Sequence, residues 1–149
     1  FCYKIQKGKN AQISEEFMIF ARFENIILDQ GVEKALQKSK LYLEAGADGI
    51  MLHSSDSNCA KTLEFSQNYK EFGADRPLIV LSSAFGQTTE EEFENAGINL
   101  IIYANHLLRA AYPAMREAAE SILKYGRGYE VEAKCSSIEE ILEIIPRKH

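Results

Sequence analysis

The chain has 149 residues, 46% hydrophobic and 26% charged, with a formal net charge of -5; this suits one globular domain with a core and excludes a disordered chain. The negative balance and the absence of a long Lys/Arg cluster argue against a nucleic-acid partner, and no apolar run approaches the roughly 20 residues of a membrane span. No signal-peptide pattern opens the chain, so the sequence reads as soluble and cytoplasmic.

It begins with Phe1 rather than Met, so residues 1–149 are expected to be a single domain or a fragment of a longer polypeptide. Cys2 to Gln12, with Tyr3, Ile5 and the cluster Lys7, Gly8, Lys9, Asn10, reads as the tail of a helix closed by its Gly and Lys residues. Phe17 to Glu24, FMIFARFE, then reads as a strand. Alternation places Arg22 and Glu24 on one face with Phe20, and Ala21 and Phe23 on the other. A buried strand ending in a charged pair marks the rim of a site.

Gly31 turns the chain into a helix whose apolar or small residues Val32, Ala35, Leu36, Ser39, Tyr42 and Leu43 fall at helical spacing. Gly46 ends it, and Gly49 to His53 is a second short strand running into Ser54 and Ser55. The same device follows twice more. Cys59 to Phe72 is a helix closed by Gly73, and Pro77 to Leu81 a strand ending in Ser82 and Ser83; Thr89 to Ala96 is a helix closed by Gly97, and Leu100 to Ala104 a strand ending in Asn105 and His106. EAGADGI at 44 to 50 and NAGINLI at 95 to 101 are near copies of one junction. Leu107 to Tyr125 is a long helix that Pro113 is expected to kink or restart. Ser137 and Glu140 can form a capping box for a last helix, Ile138 to Ile145, which Pro146 ends.

Strand and helix alternating every 25 to 30 residues or so is the mark of βαβ units and a parallel sheet. There is no GxGxxG and no P-loop, as a nucleotide-binding doubly wound sheet would carry. Polar residues instead close every strand, which favours a (β/α)8 barrel, where all strand ends share one mouth; such a barrel needs roughly 250 residues, and four units make half of one. Cys2, Cys59 and Cys135 have no CxxC spacing and read as free structural thiols.

Taken from the residues alone, each mouth residue has a structural reading beside the functional one. Arg22 and Glu24 can be an inward ion pair, His53 a structural histidine, and Ser54, Ser82 and Ser83 caps for the following loops. Asn105 and His106 read as caps of the long helix rather than as ligand contacts.

FARFEN at 20 to 25, EAGADGIMLHS at 44 to 54 and YANHLLRAAYPAM at 103 to 115, in this order and spacing, resemble the C-terminal half of phosphoenolpyruvate mutase, within the isocitrate lyase superfamily. The resemblance covers nearly the whole chain and implies an α/β fold: the C-terminal half of a (β/α)8 TIM barrel, about four βα units plus C-terminal helices. It implies a Mg2+-dependent enzyme that interconverts phosphoenolpyruvate and phosphonopyruvate. Carried onto this sequence, Arg22 and His53 are the catalytic residues, Arg22 contacting the anionic substrate and His53 bonding its phosphoryl or carboxylate oxygens; Ser54 binds substrate with them, and Glu24 supports Arg22. The implied partners are the small anionic substrate, the N-terminal half of the barrel, and further copies of the chain through C-terminal helix packing.

The metal ligands and gating loop of this family belong to the N-terminal half, and no segment here matches them, so the isolated chain is expected to be incomplete for activity. A further departure is Leu81-Ser82-Ser83-Ala84-Phe85, where relatives end the strand with Pro-Thr and aromatic residues. Two alternatives stay open: a phosphonopyruvate hydrolase or carbon–carbon lyase of the same superfamily, and a non-catalytic half-barrel that serves as an assembly module.

Overall fold

In the computed structural model, which describes residues 1–24, 29–55, 59–73, 75–82 and 86–144, the chain divides into two units, Phe1–Ala104 and Asn105–His149. The first holds α1 (Cys2–Asn10), β1 (Phe20–Glu24), α2 (Val32–Glu44), β2 (Gly49–His53), α3 (Ala60–Gly73), β3 (Leu78–Leu81), α4 (Glu90–Asn95) and β4 (Leu100–Ile102). Its strands form one sheet in the order β1-β2-β3-β4, with every pair parallel. Strand order follows chain order without reversal, so the sheet lacks the switch point of a doubly wound fold and has the order of a barrel wall.

Register sorts the side chains. Arg22 lies opposite Met51 and Glu24 opposite His53, while Met51 lies opposite Ile79. These residues share one face of the sheet. The other face carries Ala21, Phe23, Ile50, Leu52, Leu78 and Val80, all buried, and joins Ala35, Phe65 and Phe93 of the helices in one core. Apolar burial therefore sits on the helix side, and the charge is left on the opposite face.

β1 begins at Phe20, three residues later than the apolar run suggests. Its partner begins at Gly49, opposite Phe20, and Phe17 and Met18 are exposed. Gly8 lies inside α1 rather than closing it. A Cβ there would meet Ile19 Cδ1 at 2.9 Å, so its absence lets the helix sit close to the approach to β1.

The two near-copied junctions are one structure used twice. Gly46 and Gly97 both take positive φ, +102° and +90°, a conformation that costs glycine little. Asp48 then donates its N–H to Ile19 O (2.8 Å), and its Oδ2 accepts the Ile19 N–H (2.7 Å). Asn99 does the same to Leu78, at 2.9 and 2.8 Å. Each residue clasps both backbone groups where the neighbouring strand begins, its own N–H donating to the carbonyl and its side-chain oxygen accepting the N–H. Asp48 alone also holds a cation, with Lys9 Nζ 2.9 Å from both carboxylate oxygens. Burial pushes the Asp48 carboxyl up, but the Ile19 N–H, Lys9 and the field of Arg76 together hold it below its ordinary value.

α4 carries a capping box that the sequence reading does not anticipate: the Thr89 hydroxyl accepts the Glu92 N–H, and the Glu92 carboxylate accepts the Thr89 N–H at 2.7 Å.

The second unit holds α5 (His106–Tyr125), a 3-10 turn (Glu132–Lys134) and α6 (Ile138–Ile144). α5 runs through Pro113 as a single helix, so of the expected kink or restart the restart does not occur. Asn105 occupies its N-cap without a side-chain cap bond, and His106 is its first helical residue. Half of the expected box forms on α6, where Ser137 Oγ accepts the Glu140 N–H at 3.1 Å; Ile145 and Pro146 lie outside the described residues. Neither helix buries a residue. Among the described residues no helix is long and apolar enough to cross a membrane, and no disulfide joins Cys2, Cys59 or Cys135.

Candidate functional site

β1 and β2 end level with one another, and their last residues form a three-member charged cluster. An Arg22 terminal nitrogen lies 2.5 Å from Glu24 Oε1. Glu24 Oε2 lies 2.6 Å from His53 Nδ1, and that Arg22 nitrogen lies 2.8 Å from the same His53 atom. The parity of β1 puts Arg22 and Glu24 on one face two residues apart, and the parallel register sets His53 directly across from Glu24. No loop is needed to assemble the cluster. Strand ends fixed by a ladder hold side chains more precisely than loops do.

The three side chains are 44%, 59% and 36% exposed, in the order Arg22, Glu24, His53. They are open to solvent on the face away from the helix core. The hydrogen bond with His53, with the fields of His53 and Arg22, outweighs desolvation and holds the Glu24 carboxyl below its ordinary value. Glu24 is thus an ionised hub between two nitrogen-bearing side chains. A guanidinium and an imidazole converging at a barrel mouth can bind an oxyanion, the former through a fork that matches two oxygens.

Ser54 shares the parity of buried Ile50 and Leu52 and is only 2% exposed, so it lies behind the cluster rather than in its open face. Ser82, just past β3, is also buried, with an Oγ that has no hydrogen-bond partner among the described residues. Ser83, with Ala84 and Phe85, lies outside the described residues.

The bond between Glu24 and His53 is the part of the site that the sequence reading misses. Glu24 is expected there as the support of Arg22 alone. The available signal was that FARFE and GIMLH both place a charged or titratable residue last, so a parallel pair in register joins them.

A cavity of about 530 Å3, lined among others by Tyr69, Lys70, Arg76, Glu94 and Asn99, lies where β3 and β4 begin. That is the end opposite the mouth, where barrels keep residues of stability rather than catalysis.

The described residues do not supply a Mg2+ site of their own. Among the described residues no group of three or more His, Cys, Asp or Glu could hold a metal ion. Glu24, the acid of the cluster, has one oxygen on Arg22 and the other on His53.

Comparison with known proteins gives these strand ends a family context. Residues 1–123 match the family model described as phosphoenolpyruvate phosphomutase. The chain is 33% identical over 142 residues to a phosphonopyruvate hydrolase of Variovorax sp., covering 95% of this chain and 48% of the relative. It is 30% identical over 144 residues to a phosphoenolpyruvate phosphomutase of Tetrahymena pyriformis, covering 97% and 47%. A crystal structure of a phosphonopyruvate hydrolase in complex with oxalate and Mg2+ superposes with a TM-score of 0.84 at 33% identity, over 97% of this chain and 50% of that one. The chain spans about half the length of the relatives it matches.

Proposed function

The chain belongs to the phosphoenolpyruvate phosphomutase family, and from that membership we propose that the protein carrying it interconverts phosphoenolpyruvate and phosphonopyruvate, with Arg22 and His53 as the anion-binding groups of this half of the mouth. The observation that carries the proposal is the convergence of Arg22 and His53 on Glu24 at two adjacent strand ends. In the reaction a carbon–phosphorus bond breaks and a phosphorus–oxygen bond forms at the enolate oxygen of the same molecule. The moving phosphoryl group carries spread negative charge, so positioned cations and donors lower its barrier. Arg22 supplies the permanent cation. His53 supplies a second polar contact from the neighbouring strand.

Glu24 keeps Arg22 and His53 in place and does not touch substrate in this reading. Ser54, buried behind His53, is assigned a structural role at the end of β2 rather than the substrate contact the resemblance implies. Mg2+, named with oxalate for the related hydrolase, is assigned to carboxylates outside this chain, on the other half of the barrel. The exposed apolar residues of α5, among them Leu107, Leu108 and Leu123, support assembly of several copies through the C-terminal helices. The protein is assigned to the cytoplasm.

A second reading has equal standing by similarity, because the hydrolase of Variovorax sp. is as close as the mutase of Tetrahymena pyriformis. The two differ in the acceptor of the phosphoryl group: the enolate oxygen in one case, water in the other. Incubating the full-length protein with phosphonopyruvate and Mg2+ and following 31P resonances separates them. The mutase yields phosphoenolpyruvate, and the hydrolase inorganic phosphate. If neither forms, the candidates left are carbon–carbon cleavage and a non-catalytic assembly module. Arg22→Ala is expected to lower phosphonopyruvate turnover by about two orders of magnitude or more while leaving the circular dichroism spectrum unchanged. Wild-type turnover in that variant removes Arg22 from the site.

A further inference from the structure

Arg22 and Glu24 make incompatible demands on one atom. His53 Nδ1 lies 2.6 Å from Glu24 Oε2 and 2.8 Å from the Arg22 terminal nitrogen. An imidazole nitrogen either carries a proton and donates, or bears a lone pair and accepts. The guanidinium has only N–H donors, so its contact with Nδ1 needs the lone pair. The carboxylate has only acceptors, so its contact needs the proton. Both contacts cannot be hydrogen bonds at once.

The carboxylate has the stronger claim. A hydrogen bond to an ionised oxygen is roughly twice as strong as a neutral one, and a bare nitrogen lone pair held 2.6 Å from a carboxylate oxygen is repulsive. Arg22 loses little by giving way, because Glu24 Oε1 already accepts from the same nitrogen at 2.5 Å.

We propose that Glu24 fixes His53 as its Nδ1–H tautomer, with that proton donated to Glu24 Oε2, so that Nε2 is the ring atom presented to the ligand. Glu24 is then a positioning residue that acts through both its neighbours, and one carboxylate orients the whole cluster. In the neutral ring Nε2 is an acceptor. An oxyanion therefore meets His53 only with a proton between the two, carried by the ligand oxygen or by the ring. The inference rests on the assignment of Arg22 and His53 to the anion site, but its test does not require turnover.

The test is two-bond 1H–15N correlation of the histidine rings in the uniformly 15N-labelled protein, at a pH of about 8.5, some two units above the ordinary histidine value. His53→Gln assigns the ring. Exposed imidazoles favour the Nε2–H form, so dominance of Nδ1–H at His53 is diagnostic. The wild type is expected to show it, Glu24→Ala to revert to Nε2–H, and Arg22→Ala to keep Nδ1–H. Glu24 is exposed, so its truncation leaves the core untouched. Nε2–H dominance in the wild type overturns the proposal, as does an Nδ1–H pattern that survives Glu24→Ala. Loss of turnover in the Arg22 variant is read in a separate assay, so failure of the anion-site reading is distinguishable from failure of the tautomer.

Discussion

Gly49 has no room for a side chain. A Cβ there would meet the Pro77 carbonyl oxygen and, at 2.5 Å, the Phe20 ring, because Phe20 lies directly across the ladder from it. The missing side chain lets that ring lie over β2 on the face that carries the cluster. Gly49→Ala is expected to cost about 1–3 kcal/mol through overpacking, read as a lower urea midpoint with an unchanged m-value. An unchanged midpoint would show that the ring and the Pro77 carbonyl both give way freely. The glycine is visible in the sequence, where it reads only as a strand start. Its steric reason is not, because Phe20 is 29 residues away in the chain.

At the scale of elements, the repeated junction is the strongest device in the first unit. It positions β1 against β2 and β3 against β4 by the same side-chain clasp, and so sets where each strand begins and which residue ends it. Asp48→Asn keeps an acceptor for the Ile19 N–H, as Asn99 shows in the second copy, but strips Lys9 of its carboxylate. The expected loss is about 1 kcal/mol, since the pair is only partly exposed. The folded-state pKa of Asp48 is depressed; its charge therefore stabilises fully above the ordinary value of 3.8 and loses that effect as pH falls through the lower folded value. Urea midpoints of the two proteins are accordingly expected to differ at neutral pH and to converge in acid. A gap that persists in acid would mean that the ion pair is not its source.

The resemblance of EAGADGI to NAGINLI was legible from letters alone, as were the helix–strand rhythm and the parity that pairs Arg22 with Glu24. The unbroken run of α5 through Pro113 was not. Proline removes one N–H and strains the preceding turn, and whether a 20-residue helix absorbs that loss is decided along its whole length.

For the whole molecule, the sheet leaves one edge of β1 and one edge of β4 unpaired among the described residues, and α5 and α6 expose Leu107, Leu108, Leu123 and Ile138. Unpaired parallel edges and apolar helix faces in one chain are surfaces that associate. The isolated chain is expected to elute in gel filtration well above its 16.8 kDa monomer mass, and co-expression with the remaining half of the barrel is expected to reduce that association. A clean monomer would count against the half-barrel reading.

The sequence by itself determined the local things: which residues alternate, where helices give way to strands, and that four βα units make half of a barrel. These follow from side-chain period and from glycine's backbone freedom, which act within a few residues. Only the tertiary structure decided that Glu24 meets His53, that Ser54 turns inward, and that one nitrogen of His53 faces two rival partners. Those facts depend on the register of two parallel strands, and register is set by contacts between segments that the chain keeps far apart.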